Sequence, residues 1–173
     1  MELYEGLITR RSIRKYTSDP VSKKDLEEII KAGMYAPSAV NCQPWHFIVI
    51  EDKDTFEKIM NVHAYAKMLK EAQAAILVCG DEELQHGEGY WAVDCGAATQ
   101  NILLAAHAKG LGAVWLGLQP REERKEEIKE LFRLPKHIQP FSLISIGWPA
   151  EQKETPERFK PERIHYAKWQ KND

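Results

Sequence analysis

An α+β domain, with a central β-sheet flanked by helices and one helix buried at its middle, follows from three observations. Four short apolar segments, 45–50, 74–79, 113–118 and 141–146, alternate with segments of helical periodicity. One helical segment, Trp91 to Lys109, is apolar nearly all round, through Val93, Ala97, Ile102, Leu103, Leu104 and Ala106. A helix of that kind belongs in the centre of a fold. Nothing divides the chain: its 173 residues contain no internal repeat and no Gly/Ser linker, and that length suits one domain, 1–173. The order of the strands does not follow from the pattern.

In chain order, Leu3, Leu7 and Ile8 mark one face of a short first helix. The basic run Arg10 to Tyr16 then leaves it as an extended segment. Ser22 is placed to cap a second helix, with Asp25 three residues on and Val21 able to staple onto Leu26. Leu26, Ile29, Ile30 and Met34 give that helix its apolar stripe, and Pro37 limits it. Trp45 to Ile50 is β-branched and aromatic and reads as a buried strand. Thr55 to Val62 and Tyr65 to Ala72 read as helical, and Ala74 to Cys79 as a second strand. The long apolar helix closes at Gly110. Ala113 to Leu118 is a third strand, Arg121 to Phe132 a charged helix stopped by Pro135, and Phe141 to Ile146 a fourth strand. Residues 151–173 turn polar and proline-rich, an extended arm with no core of its own that needs a surface to lie on.

Composition excludes several functions. With 24 basic against 26 acidic residues, net charge −2, the chain lacks the basic excess of a nucleic-acid binder, apart from the local run at 10–15. Cys42, Cys79 and Cys95 are odd in number and form no CxxC pair, so they read as small buried thiols rather than a disulfide or zinc framework. The opening residues lack a signal-peptide layout, and no apolar run reaches the ~18–20 residues of a membrane span. A soluble, cytoplasmic protein without a membrane partner is expected.

Three places could carry chemistry. On an extended segment alternate residues share a side, so Arg10, Ser12 and Arg14 could converge on an anion; taken alone, these residues read more readily as a solvated basic turn or a docking patch for nucleic acid. The stretch Pro37 to Trp45 is dense in donors and acceptors. Ser38, Asn41 and Gln43 suit the polar edge of a planar heterocycle, or else satisfy their own loop. Gly110, Gly112 and Gly117 bracket a strand and permit close backbone approach, but they follow a helix and so do not form the dinucleotide-binding GxGxxG. His46 and His107 read as structural histidines rather than ligands, and no metal site is expected. Asp94, early in the apolar helix, reads as a capping or dipole residue.

Taken together, these segments resemble the FMN-dependent nitroreductase family. Arg10 to Tyr16 is similar to its opening RRSxRxY, and Ala36 to Trp45 to its APSxxNxQPW loop. Asp94 to Gly112 is similar to its central helix, and Pro140 to Pro149 to its last core strand and turn. The resemblance implies a homodimer with exchanged C-terminal arms and FMN at the subunit interface. It implies cofactor contacts from Arg10, Arg11, Ser12 and Arg14 of one subunit, with Arg10 and Ser12 at the phosphate and Arg14 at the pyrimidine edge. Pro37, Ser38, Asn41 and Gln43 come from the other subunit. The backbone at Leu116 and Gly117 passes the ring near N5, Arg158 and Lys160 close on the phosphate, and Lys67 is a further ring-edge contact. The implied activity is hydride transfer from NAD(P)H, through flavin N5, to a small electron-poor acceptor such as a nitroaromatic or quinone, with ping-pong kinetics and no protein nucleophile. A flavin carrier or sensor with little turnover, and a nucleic-acid module built on the 10–15 run, are the competing expectations.

Overall fold

The computed structural model describes residues 1–169. Helices α1 (Leu3–Thr9), α2 (Lys23–Met34), α3 (Lys53–Val62), α4 (Tyr90–Ala108) and α5 (Glu122–Phe132) surround strands β1 (Trp45–Ile50), β2 (Ala74–Asp81), β3 (Gly112–Gly117) and β4 (Ile138–Gly147). The sheet order is β1-β2-β4-β3 and every pairing is antiparallel. On one face Ile76, Val78, Ile144 and Ile146 pack against Leu26 and Ile29 of α2 and Ala98 and Ile102 of α4. On the other, Ala75, Leu77 and Leu143 meet Phe56 and Ile59 of α3 and Ile128 of α5. Strand β2, central and covered on both faces, is buried along its whole length, as a strand with an uninterrupted apolar run should be.

The α2 cap forms as the sequence predicts: Ser22 Oγ accepts the Asp25 N–H at 3.0 Å, and its own hydroxyl donates to Asp25 Oδ2 at 2.6 Å. Helix α4 is buried on several sides, closing at Gly110 with φ +79°. Yet Val93 on α4 is 70% exposed, and Leu3, Tyr4, Leu7 and Ile8 leave α1 with an uncovered apolar face.

Several expectations are corrected. Strand β1 is an edge strand, and His46 and Val49 face solvent; its composition does not reveal that only one neighbour pairs with it. Residues 65–72 form only a 3₁₀ turn at Lys67–Lys70. Their buried residues, Ala66, Leu69 and Ala72, recur at a strict spacing of three, which suits a 3₁₀ turn rather than an α-helix. Helix α5, by contrast, ends at Phe132 before Pro135 as expected, with Arg133 in a left-handed cap, φ 51°. Strand β4 begins earlier than expected and runs through Pro140, whose missing donor falls where the β2–β4 register shifts between Val78 and Cys79. Of the thiols, Cys79 and Cys95 are buried and Cys42 is only half-buried; burial pushes the Cys79 thiol up to about 12.

The N-terminal segment adds to the β3 side of the sheet. Ser12 bridges Ala113 in parallel and Tyr16 bridges Pro149. Tyr16 donates to the Ile13 carbonyl at 2.7 Å and shares a 2.6 Å hydrogen bond with Ser145 Oγ. Gly112 permits this approach, since a Cβ there would lie 2.6 Å from Ile13.

Gly80 is tighter still. A Cβ would lie 2.4 Å from Cε3 of the buried Trp91, whose ring stands edge-on to Phe141 at 6.2 Å. Gly80→Ala is expected to cost about 1–3 kcal/mol through overpacking, lowering Tm by about 2–4 °C per kcal/mol. Thermal unfolding checks it, and an unchanged Tm would mean that Trp91 relaxes freely.

Candidate active site

The extended segment delivers its cations to two places rather than one. Arg10 and Arg11 border a 350 Å³ cavity with His107 and Lys153, whereas Arg14 borders a separate 610 Å³ cavity. The expected convergence of both guanidiniums on one side is therefore corrected: bridging to Ala113 of β3 and to Pro149, beyond the end of β4, pins the backbone at Ser12 and Tyr16 and sends the two ends apart. Arg11 spends its guanidinium on the carbonyls of Ile8, Arg10 and Glu154, tying α1 to the arm. Lys153 Nζ donates to the Ser12 carbonyl at 2.7 Å.

Among the described residues, none is bound in this way by Arg10. Burial, then the neighbouring charges of Arg11 and Arg158, pull its pKa below the usual arginine value. These like charges crowd a half-buried guanidinium, which an anion would relieve. Glu151, the carboxylate at this cavity, is already engaged by the Arg14 N–H at 2.6 Å and by Lys153 Nζ at 3.3 Å. Lys160 caps the turn Pro161–Arg163 and is exposed.

The larger cavity brings together Arg14, Lys67, Leu116 and Gly117 from the expected set and adds His63, Trp115 and Arg124. Among the described residues, three cations line it and no carboxylate does. The end of β3 is pinned there: the Gly117 carbonyl lies 3.3 Å from His63 Nε2 and accepts from Arg124 Nη1 at 3.0 Å. His63 Nδ1 faces the Tyr65 N–H at 3.2 Å and must accept it. The proton therefore sits on Nε2 and is donated to Gly117. A Cβ at Gly117 would meet nothing nearer than the Gln119 carbonyl, at 3.7 Å, so the strand edge is open to a ligand.

Burial, then the Arg124 charge, holds His63 below the usual histidine value. The folded value lies under an unfolded value of about 6.5. Stability tied to the neutral ring is thus present above that pH and lost as pH falls through the folded value. Tm is expected to fall on acidification, and His63→Gln to reduce that slope. His107, lowered by burial and by Arg10 and Arg11, contributes with the same sign, so the slope should shrink without vanishing. An identical slope in the variant would remove His63 from this account.

The polar loop lies between α2 and β1. Ser38 Oγ accepts the Gln43 N–H at 2.9 Å, and Gln43 Nε2 donates to Asn41 Oδ1 at 2.9 Å. These side chains therefore serve their own loop in part. Val40, Asn41 and Gln43 all adopt left-handed backbone, with φ of 51°, 59° and 51°, at about 1–2 kcal/mol each. An external anchor holds the middle of the loop: the Ala39 N–H donates to Asp94 Oδ1 at 3.0 Å. Asp94 is buried in the second turn of α4 and its Oδ2 has no partner, so it caps the loop and not its own helix. Pro37, Asn41 and Gln43 are exposed, and the loop borders neither cation-lined cavity within this protomer.

Sequence reasoning missed His63, Arg124 and the anchoring role of Asp94. His63 acts on a backbone carbonyl distant in the chain and carries no local signal, and Arg124, seven residues from the same carbonyl, reads as one more charge on the charged helix α5; Asp94 carried a weak signal, a carboxylate inside an apolar helix.

The pattern that defines the Nitroreductase family matches residues 7–91 and 60–148, spanning the basic segment, the polar loop and β3. The chain belongs to the nitroreductase family. It is 50% identical over 169 residues to a Methanothermobacter thermautotrophicus protein provisionally named NADH dehydrogenase/NAD(P)H nitroreductase, covering 98% of this chain and 88% of that one. It is 31% identical over 183 residues to the NAD(P)H-type FMN reductase of Bacillus subtilis, covering 95% and 73%. A Desulfovibrio desulfuricans structure, provisionally named a nitroreductase and solved in complex with FMN, superposes with a TM-score of 0.85 at 33% identity over 98% of each chain. The α+β architecture is thus that of nitroreductases, and none of the described helices is long and apolar enough to cross a membrane.

Proposed function

We propose that the protein is an NAD(P)H-dependent FMN oxidoreductase. It acts as a homodimer and reduces a small electron-poor acceptor, such as a nitroaromatic or quinone, with ping-pong kinetics. The observation that carries this reading is the 610 Å³ cavity, ringed by Arg14, Lys67 and Arg124 with no carboxylate among the described lining residues. FMN fits the residues present. Its phosphate needs several cationic partners, and the like charges of Arg11 and Arg158 crowd Arg10. When bound, FMN takes hydride from NAD(P)H and passes it to the acceptor.

The chain's own work is binding and electrostatics. Arg10, Ser12, Arg158 and Lys160 hold the phosphate end, with Arg11 fixing the arm beside them. Arg14 and Lys67 supply positive charge at the ring edge, where it stabilises negative charge gained on reduction. Leu116 and Gly117 present backbone to the ring, held in place through His63 and Arg124. Pro37, Ser38, Asn41 and Gln43 complete the site from the other subunit. The large apolar side chains left exposed support that partner. They lie on α1 (Leu3, Tyr4, Leu7), on α4 (Val93) and in the arm (Phe159, Tyr166 and Trp169), and exposed apolar side chains in this number suit surfaces that a second copy covers. The arm, 151–173, is read as exchanged between subunits; residues 170–173 lie outside the described ones.

An absorbance spectrum of the purified protein, followed by anaerobic mixing with NADH and with NADPH, tests the proposal. A yellow protein bleached by either nucleotide and recoloured by quinone or nitroaromatic is expected. Protein that takes up no flavin, or whose flavin band neither nucleotide bleaches, would end it. A monomer with full FMN affinity would separately overturn the shared site.

A further inference from the structure

At the end of the sheet formed by the start of β1, the end of β2 and the start of β4, two histidines and two carboxylates gather outside the site described above. Asp81 Oδ2 lies 3.5 Å from His46 Nε2, and Glu83 Oε1 lies 3.8 Å from His137 Nδ1. Ligand atoms of Asp81, Glu83 and His137 all lie within 4.8 Å of one another. Asp81 is buried, at 8% exposure. Backbone hydrogen bonds fix the relative positions of the three strand ends: the Asp81 N–H donates to the Pro44 carbonyl at 2.7 Å and the Glu82 N–H to that of His137 at 3.0 Å.

The spacing suits a metal better than a hydrogen-bond network. Imidazole–carboxylate hydrogen bonds run at about 2.7–3.2 Å, and both pairs are longer. Two ligands each about 2.0–2.1 Å from a tetrahedral ion stand about 3.3 Å apart; the ligand atoms of Asp81, Glu83 and His137 already lie within 4.8 Å of one another, whereas His46, 3.5 Å from Asp81, must turn further to join them. We propose that His46, Asp81, Glu83 and His137 bind one divalent transition-metal ion of the Zn²⁺ class. Two imidazole nitrogens with two carboxylate oxygens form a borderline donor set, which selects Zn²⁺, Co²⁺ or Ni²⁺ over the oxygen-seeking Mg²⁺ and Ca²⁺. Four protein ligands leave no open position, so the ion is structural and staples β1, β2 and β4 at one end. Lys129 and Lys136 border the same 410 Å³ hollow and moderate the affinity. Lys129 Nζ is turned to Gln139 Oε1 and the Lys136 carbonyl, both at 3.4 Å, and Glu82, which accepts from Gln139 Nε2 at 2.8 Å, restores negative charge.

Titration of the purified full chain with Zn²⁺, Co²⁺ and Mg²⁺, followed by calorimetry, Tm and Co²⁺ visible absorption, tests the site. One Zn²⁺ or Co²⁺ per chain, a Tm rising with their concentration, intense low-coordinate Co²⁺ bands and no saturable Mg²⁺ binding are expected. Loss of an outer-shell partner alone costs on the order of ten- to a hundredfold in metal affinity; His137→Gln and Asp81→Asn should each cost at least as much. His137 is at the surface, so that variant tests the site even if Asp81→Asn disturbs the fold. Absence of saturable Zn²⁺ binding, or binding that His137→Gln leaves intact, overturns the proposal.

Discussion

Arg14→Ala is expected to weaken FMN binding by about ten- to a hundredfold, the loss of one charge-assisted hydrogen bond of about 1.5–3 kcal/mol. The reduction potential of the bound flavin should fall alongside. The structure makes this substitution informative because the side chain does little else. The folding contribution at this position comes from the backbone, whose N–H donates to Glu151 Oε1 at 2.6 Å, and alanine keeps that bond. Thermal stability should therefore barely change while affinity and potential drop. Fluorescence titration and spectroelectrochemistry read the two effects separately. Unchanged values of both would remove Arg14 from the ring edge and shift the burden to Lys67 and Arg124, the other cations of the same cavity.

Asp94→Ala should produce an effect of similar size from a residue that touches no ligand. Its Oδ1 holds the Ala39 N–H and thereby restrains a loop with three left-handed non-glycine residues. Backbone so strained persists only when its surroundings over-determine it. Without the anchor the loop relaxes, and Ser38, Asn41 and Gln43 must be ordered anew on each binding event. FMN affinity is expected to fall about tenfold, equivalent to about 1.4 kcal/mol. Global stability should change far less, because alanine also removes a buried oxygen, Oδ2, that has no partner and whose desolvation is unfavourable. Asp94→Asn retains an acceptor for Ala39 and should bind flavin nearly as the parent does. Equal losses in Tm and affinity for Asp94→Ala would mean a purely structural role.

Features encoded within a few residues were legible in the sequence. The Ser22–Asp25 cap, the Gly110 helix terminus and the span of β1 are each decided by neighbours in the chain, and each forms as predicted. Features decided at a distance were not. Whether β1 is central or an edge depends on strand order, which its own residues do not encode. The turn at 67–70 has the composition of a helix, and only the packing of Ala66, Leu69 and Ala72 shows its spacing. Within the candidate site, the cationic character of Arg10, Arg14 and Lys67 was readable, but their division between two cavities depends on bridging to Ala113 and Pro149. His63 was invisible because its partner, Gly117, lies 54 residues away.

The arm is fastened at its root by Glu151, Lys153 and the Glu154 carbonyl. From Thr155 to Trp169 all described residues but His165 are exposed. Trypsin would accordingly find exposed sites after Arg158 and Arg163, and a chain cut after Arg158 would forfeit Lys160, assigned to gripping phosphate. If a second copy shields these bonds, digestion should slow as protein concentration rises and quicken on dilution. The rate of nicking would then serve as a ruler of self-association, and old or dilute stocks would lose colour before they lose their fold.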